Sequence, residues 1–482
     1  MNYLYDVSQI LISGGGRVMK TIFKLALLAV LVMPLSGTMA RAASTSQQIE
    51  ELQQQIQQMQ SQYQQQIQQL QQQLQTLQNA QQQSDQTLSQ INKKQVEAED
   101  AWYSKFLAKY DNGFTFESTD KEGYPFKMKF SILAQIQGSV NDTDEKDVAT
   151  NFRLRRLELK WSGIAFAPWF YYTFMIDPAS SSLLKDMYLT AQYQNPVGAR
   201  IGQWKVPFEK EELQSSSALQ LVERSIVNAE FTLEREPGAA VQGALGAHNN
   251  FSYAAGVFNG DGINGSSADS NMLYAGRIQL GLGGDDDKFD ANGTYATAKS
   301  YKLVPNFAKK PTFVIGAAAS ALPGLDCNVK TPNGNVCSRI TALNFGDDVD
   351  FTQITGDAMF KMQWFNVEGE YVGRWLNSSE AGFGTAYDQG FRAQAGVFLV
   401  PKTFELAGRY ALIDYDTASD VVPADTSEPD KTWEITPGLN YYMSHDHRWK
   451  IQLSYTFQRQ EFTEGEPDID ANIFRAQVQA NF

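Results

Sequence analysis

Histidine and cysteine are nearly missing from this chain, at 3 and 2 of 482 residues. Enzymes that pair a nucleophile with a base, and zinc centres, need such side chains clustered. Here His445 and His447 share one turn-like stretch, His248 lies in another, and Cys327 and Cys337 stand apart from all three. A surface turn is the plainer account of His445-Asp446-His447, and a weak metal site is the other. No glycine-rich phosphate loop or nucleophile elbow occurs. The sequence offers no catalytic residue, implies no cofactor and no metal, and argues against an enzyme. Positive charge is also short. The 40 Lys and Arg against 54 Asp and Glu leave a net −14 and no basic tail. That excludes nucleic acid as a partner, since phosphate neutralisation needs a basic surface. Long apolar runs are missing too: only one stretch, near the amino end, approaches the ~20 residues of a membrane-spanning helix.

What the chain has instead is a rhythm of two. In the last twelve residues Phe474, Ala476, Val478, Ala480 and Phe482 share one parity, and Arg475, Gln477, Gln479 and Asn481 share the other. Successive side chains of a strand point to opposite faces, so this strand has an apolar and a polar side. The pattern runs back to Phe126 and predicts sixteen strands. Their connections alternate between tight turns, such as Asn195-Pro196 and Val400-Pro401-Lys402, and longer acidic loops. The stretch Phe152 to Trp161 changes parity at Arg155–Arg156, which predicts a β-bulge. Tandem soluble sandwiches would share the strand count.

The amino end decides between them. Met19 opens a charged segment followed by the apolar run Leu25 to Leu35 and small residues near Ala40 and Ala42, the layout of an export signal. Residues 1–43 are expected to be a signal peptide with translation starting at Met19. For an exported chain that must satisfy its backbone in lipid, amphipathic strands cross only as a closed sheet. The expected fold is an all-β transmembrane barrel of about 16 antiparallel strands over 113–482, wide enough for an aqueous channel. Trp169, Tyr172, Tyr193, Trp364, Trp375 and Trp449 are expected in the interfacial girdles.

Before the barrel, residues 44–100 are dominated by glutamine. Apolar residues recur at Ile49, Leu52, Ile56, Met59 and Tyr63, then Ile67, Leu70, Leu74 and Leu77, then Leu88 and Ile91. The three–four spacing predicts an N-terminal α-helical coiled coil with one stutter, reaching on the order of 75 Å. A disordered polar tail is the alternative. Residues 101–112 form a polar junction. Cys327 and Cys337 lie in a Gly-, Pro- and Asn-rich stretch. In an exported chain they are expected to form a disulfide that staples one loop, metal binding being the weaker option. Gly283 to Lys310 is long where a tight turn is expected, and the sequence gives no account of it.

Residues 208–238 lack strand alternation and are expected to fold into the lumen as a constriction carrying Lys210, Arg224 and Arg235; a solvated loop is the alternative. By parity the lumen wall holds Lys127, Lys129, Arg156, Lys160, Lys205, Arg277, Lys361, Arg374, Arg392, Arg409, Arg448, Lys450 and Arg475. Against them stand Glu158, Asp177, Asp357, Glu368, Glu370, Glu405 and Glu434. The wall leans basic in an acidic protein, which favours anions in a low-dielectric tube.

Gly202-Gln203-Trp204-Lys205-Val206-Pro207-Phe208, Val222-Glu223-Arg224-Ser225, Arg235-Glu236-Pro237-Gly238 and Ala255-Gly256-Val257-Phe258-Asn259-Gly260 resemble the signature run of the phosphate-selective porin O and P family. Phe152 to Leu159 is similar to its arginine-rich early strand. The resemblance implies a homotrimeric outer-membrane pore of sixteen strands, seated among lipid and lipopolysaccharide, that draws small anions along arginines toward a lysine-bearing constriction. The acidic loops 142–147, 347–350, 414–430 and 464–470 depart from that picture and make the mouth negative. The rival expectation is a general or cation-preferring porin whose periplasmic coiled coil tethers the outer membrane to the peptidoglycan. A sheath around a cytochrome is a third, unsupported by any haem motif.

Overall fold

The computed structural model describes residues 45–482 apart from 101–104, 121–122, 124, 145, 195, 247–249, 267–268, 284–310, 379–383, 417–428 and 463–465. The expected signal peptide with Met19, His248 and nearly all of the unexplained 283–310 segment lie outside the described residues. The chain divides into two units, 1–96 and 97–482.

In the first unit, α1 (Thr45–Asp100) is one helix of 56 residues, about 84 Å of rise. It contains neither Gly nor Pro, and Gln, Leu and Ile keep it helical. Its apolar stripe from Leu52 to Leu77 stands 47–67% exposed. The helix is therefore established, and its partners are not.

The second unit is a sheet of 18 strands. In chain order they are β1 (Phe106–Tyr110), β2 (Phe114–Ser118), β3 (Lys127–Thr143), β4 (Lys146–Ile164), β5 (Phe170–Ile176), β6 (Leu184–Gln194), β7 (Val197–Lys205), β8 (Arg235–Leu245) and β9 (Phe251–Phe258). They continue with β10 (Leu273–Gly283), β11 (Thr312–Leu325), β12 (Val349–Met362), β13 (Phe365–Ser378), β14 (Thr385–Val400), β15 (Phe404–Asp414), β16 (Lys431–Tyr442), β17 (Trp449–Glu461) and β18 (Ile469–Asn481). Each of the sixteen from β3 to β18 pairs antiparallel with its successor, and β18 pairs back onto β3 from Ala471↔Thr143 to Asn481↔Leu133. Phe482 completes the seam by exchanging backbone hydrogen bonds with Ile132, at 2.6 and 2.9 Å. Closure leaves no edge to satisfy in lipid.

The amphipathic rhythm turns the usual burial inside out. In β17, Trp449, Ile451, Leu453 and Tyr455 stand 36–49% exposed, while Lys450, Gln452, Ser454 and Thr456 between them are at most 3% exposed. Apolar side chains cover the outer wall and polar ones face the lumen. At the tight-turn rim Trp169 packs edge-on against Tyr193 at 6.1 Å and Phe404 stacks on Tyr441 at 4.8 Å. Trp364 and Trp449 are exposed at the same rim. Trp375 packs on Tyr387 instead, at 4.8 Å in the half nearer the long loops.

Two expectations on boundaries need correction. The junction 101–112 contains β1, which pairs with β2, and β2 takes the stretch of β3 that β18 does not reach, from Phe114↔Phe130 to Glu117↔Lys127. Strands of five residues show too little alternation to stand out in sequence. Arg235 belongs to β8, paired with Lys205 of β7, and not to the inserted segment. The expected bulge is present: Gln135 faces Arg156 while Ile136 faces Leu154, leaving Arg155 as the extra residue of β4.

Candidate functional site: the inserted segment and its wall

Between β7 and β8 the chain leaves the wall at Val206 and returns at Glu234, its neck closed by the Val206 N–H donating to the Glu234 carbonyl at 2.8 Å. The segment carries α2 (Lys210–Leu213), a 3-10 turn at Ser216–Ala218 and α3 (Ile226–Phe231). The Ser225 side chain caps α3 by accepting from the Asn228 N–H. Most of the segment is buried, because it lies in the lumen against the facing strands.

Three kinds of contact hold it there. Charged contacts come first. Arg392 of β14 reaches Glu211 of the segment at 3.3 Å and Glu368 and Glu370 of β13 at 2.9 and 2.8 Å. Lys210 pairs with Glu368, and its backbone N–H donates to Glu370 at 2.6 Å. Arg409 joins Glu434 at 2.9 Å to Glu211 at 3.5 Å. Arg374 joins Glu230 to Asp388, both at 2.7 Å, and Arg277 holds Asp357 at 2.5 Å and the Phe208 carbonyl at 2.8 Å.

Contacts to backbone carbonyls come second. Gln135 donates to the Ser216 carbonyl at 3.1 Å, Gln479 to that of Ser217 at 3.0 Å, and Lys450 to that of Leu219 at 2.7 Å. Asn440 donates to the Gln220 carbonyl at 2.8 Å, with Gln452 bridging the Leu219 and Gln220 carbonyls. An apolar plug comes third. Phe208, Val227, Phe231 and Leu233 pack with Val372, Leu376, Ala411 and Ile413, inward residues of the half nearer the long loops. There the inner wall is apolar because it meets protein instead of water. Above the plug, Cys327 and Cys337 are disulfide-bonded, with Cα atoms 5.5 Å apart.

The expected basic residues therefore separate into groups. Arg277, Arg374, Arg392, Arg409 and Lys450 are fully or almost fully buried and spend their donors on carboxylates or on the segment. Lys205 and Arg224 both pair with Glu212, at 3.0 and 3.3 Å, and Arg235 pairs with Asp186 at 2.7 Å. Burial alone would push the Glu212 carboxyl up, and Arg224 and Lys205 bring it down to about 2. Arg448 bends onto Asp446 in the turn before β17. Lys127, Lys129 and Lys160 are half-buried on the lumen side of β3 and β4, and the Lys127 and Lys160 side chains make no ion pair with any described residue. Arg475 of β18 hydrogen-bonds Thr456 at 3.3 Å. Arg156 sits beside Arg155 and Arg153, both missed in the sequence, and all three reach Glu223 of the segment. The parity change at the bulge was the available signal. Neither Lys361 nor the histidine turn builds a site, and among the described residues no acidic, His or Cys group is arranged to hold a metal.

A closed barrel with a polar lumen, an apolar belt outside and a segment folded across the inside is the architecture of a channel. The chain belongs to the phosphate-selective porin O and P family, whose sequence model matches residues 126–482, and is an outer-membrane porin. Among solved structures it is similar to an anion-selective porin from Comamonas acidovorans, with 12% identity, TM-score 0.46 and coverage of 74% of this chain and 100% of that one. It is similar to the outer membrane channel DcaP of Acinetobacter baumannii, at 11%, 0.47, 74% and 97%. It is also similar to OmpF of Salmonella typhi in a complex with daunomycin, at 10%, 0.49, 78% and 100%. No curated protein matches the chain.

Proposed function

We propose that this porin passes small hydrophilic solutes by diffusion and prefers anions, phosphate-like ions among them. The observation that carries the reading is an asymmetric wall. On β13 to β15 every buried cation meets a carboxylate. On β3, β4 and β18 a line of partly exposed basic side chains remains: Arg475 at the level of Ser139, Arg153 at Gln137, Lys160 at Ser131, then Lys129 and Lys127. From Ser139 to Lys127 the line covers roughly 40 Å of strand. An anion moving along it would keep a positive neighbour through a low-dielectric tube, and a cation would not. The acidic outer loops favour the rival, cation-preferring reading.

Reversal potentials across planar bilayers under a potassium chloride gradient separate the two. The expected sign is that of an anion channel, with Lys127→Gln/Lys160→Gln lowering the anion-to-cation permeability ratio severalfold. A cation-selective wild type removes the anion preference and leaves a general porin.

The exposed stripe of α1 supports a second, structural role: a coiled coil between copies of this chain in a homotrimer, in the periplasm, reaching toward peptidoglycan. Deleting residues 45–96 is expected to leave conductance intact while increasing release of outer-membrane vesicles. An unchanged envelope would remove the tether.

A further inference from the structure

The bulge in β4 does more than re-phase a strand. In a regular strand Arg155 and Arg156 would point to opposite faces. With Arg155 inserted as the extra residue, Arg153, Arg155 and Arg156 all reach one point in the lumen. At that point lies the Glu223 carboxylate. Arg155 grips it with two hydrogen bonds, Nε to Oε1 at 2.6 Å and Nη2 to Oε2 at 3.1 Å. Gln137 donates to Oε1 at 2.9 Å, and Arg153 and Arg156 stand 3.6 and 3.8 Å from the two oxygens.

Planar guanidiniums with a side-chain amide form the donor set that recognises a carboxylate or a phosphate. Among the described residues, Glu223 is the only carboxylate within ion-pair distance of these three arginines. The neighbouring acids are occupied. Glu158 accepts from Ser216 at 2.7 Å, Asp177 accepts from the Leu157 and Ala179 N–H groups, and Glu434 pairs with Arg409. Arg475 adds a further positive charge nearby. Burial alone would push the Glu223 carboxyl up, yet the Arg155 hydrogen bond and the surrounding guanidiniums bring it down to about 2. The site is wet, with the Arg153, Arg155 and Glu223 side chains 47, 30 and 17% exposed.

We propose that Arg153, Arg155, Arg156 and Gln137 form an oxyanion-binding cradle in the lumen, and that Glu223 is its built-in ligand, which a passing carboxylate or phosphate displaces. This rests on the anion reading of the pore. The carboxylate lowers the affinity of the cradle for free anions, so they bind briefly and move on.

The test is block of the chloride current through the purified full-length protein by inorganic phosphate, and separately by acetate. In Glu223→Gln the half-blocking concentration of phosphate is expected to fall at least about tenfold, and Arg155→Gln added to it restores the wild-type value. A stronger effect on acetate than on phosphate would make carboxylates the preferred ligand. Gln220→Ala removes the side-chain bonds to Asn366 and Glu405, at 3.1 and 2.6 Å, which loosens the same segment at the far wall without changing charge, and is expected to leave block unchanged. If Glu223→Gln leaves block unchanged, or Gln220→Ala sharpens it equally, Glu223 is only a fastening and the cradle is refuted. A wild type that is cation-selective while Glu223→Gln gains phosphate block would refute the anion reading and keep the cradle.

Discussion

Arg392 shows how a single residue is fixed by partners far away in the chain. Its guanidinium is completely buried among Glu211, Glu368 and Glu370. Arg392→Met is expected to leave Glu370 without a cation and to halve the pairing of Glu211 and Glu368, which keep Arg409 and Lys210, costing about 3–5 kcal/mol as buried pairs do when one member is removed. The measurement is the thermal transition in detergent, together with current noise from a loosened segment; an unchanged transition and quiet channels would refute it. Parity predicted that Arg392 faces inward. It did not predict what Arg392 meets there, because the lumen brings together residues such as Lys210 and Glu368, 158 positions apart. Periodicity reports which side a residue takes; an ion pair across a hole depends on tertiary placement. For the same reason the expected lysine and arginines of the constriction are tied to acids, and a row of partly exposed lumen cations is left on β3, β4 and β18.

Among the elements, the inserted segment depends on gaps left for it in the facing strands. A Cβ added to Gly390 of β14 would lie 2.6 Å from Phe231 and 2.9 Å from Val227, and one on Gly438 of β16 would lie 2.5 Å from Leu221. These glycines let the segment come close to the wall. Gly390→Val or Gly438→Val is expected to cost about 1–3 kcal/mol by overpacking and to raise single-channel conductance as the segment lifts away. Conductance equal to wild type in both variants would show that the segment stays in place. The sixteen long strands and the bulge were legible in sequence, since each carries enough alternating residues to reveal its phase. The place of the segment was legible from its missing alternation, but its grip was not. A glutamine that clamps a backbone carbonyl, as Gln135 clamps Ser216, has the same sequence appearance as one facing water.

The whole molecule is joined at one seam. β18 zips to β3, and Phe482 ends the chain in mutual hydrogen bonds with Ile132. Removing residues 479–482 is expected to open part of the seam and to free the Ser217 carbonyl that Gln479 holds. Electrophoresis without boiling should then show loss of the fast-migrating folded form; a shortened chain that still migrates as folded would refute this. The short β1–β2 hairpin beside the seam escaped sequence reading because five residues a strand show too little of the alternation that Phe114, Thr115 and Phe116 share with the longer strands. The amide grip on Ser216, Ser217, Leu219 and Gln220 has one more consequence. Gln135, Gln479, Asn440 and Gln452 take hold of carbonyl oxygens, which every amino acid provides. Replacing the side chains of Ser217 or Leu219 therefore leaves these main-chain fastenings in place, whereas Ser216 and Gln220 also hold Glu158 and Glu405 through their side chains, so the strap tolerates change at some of its links and not at others.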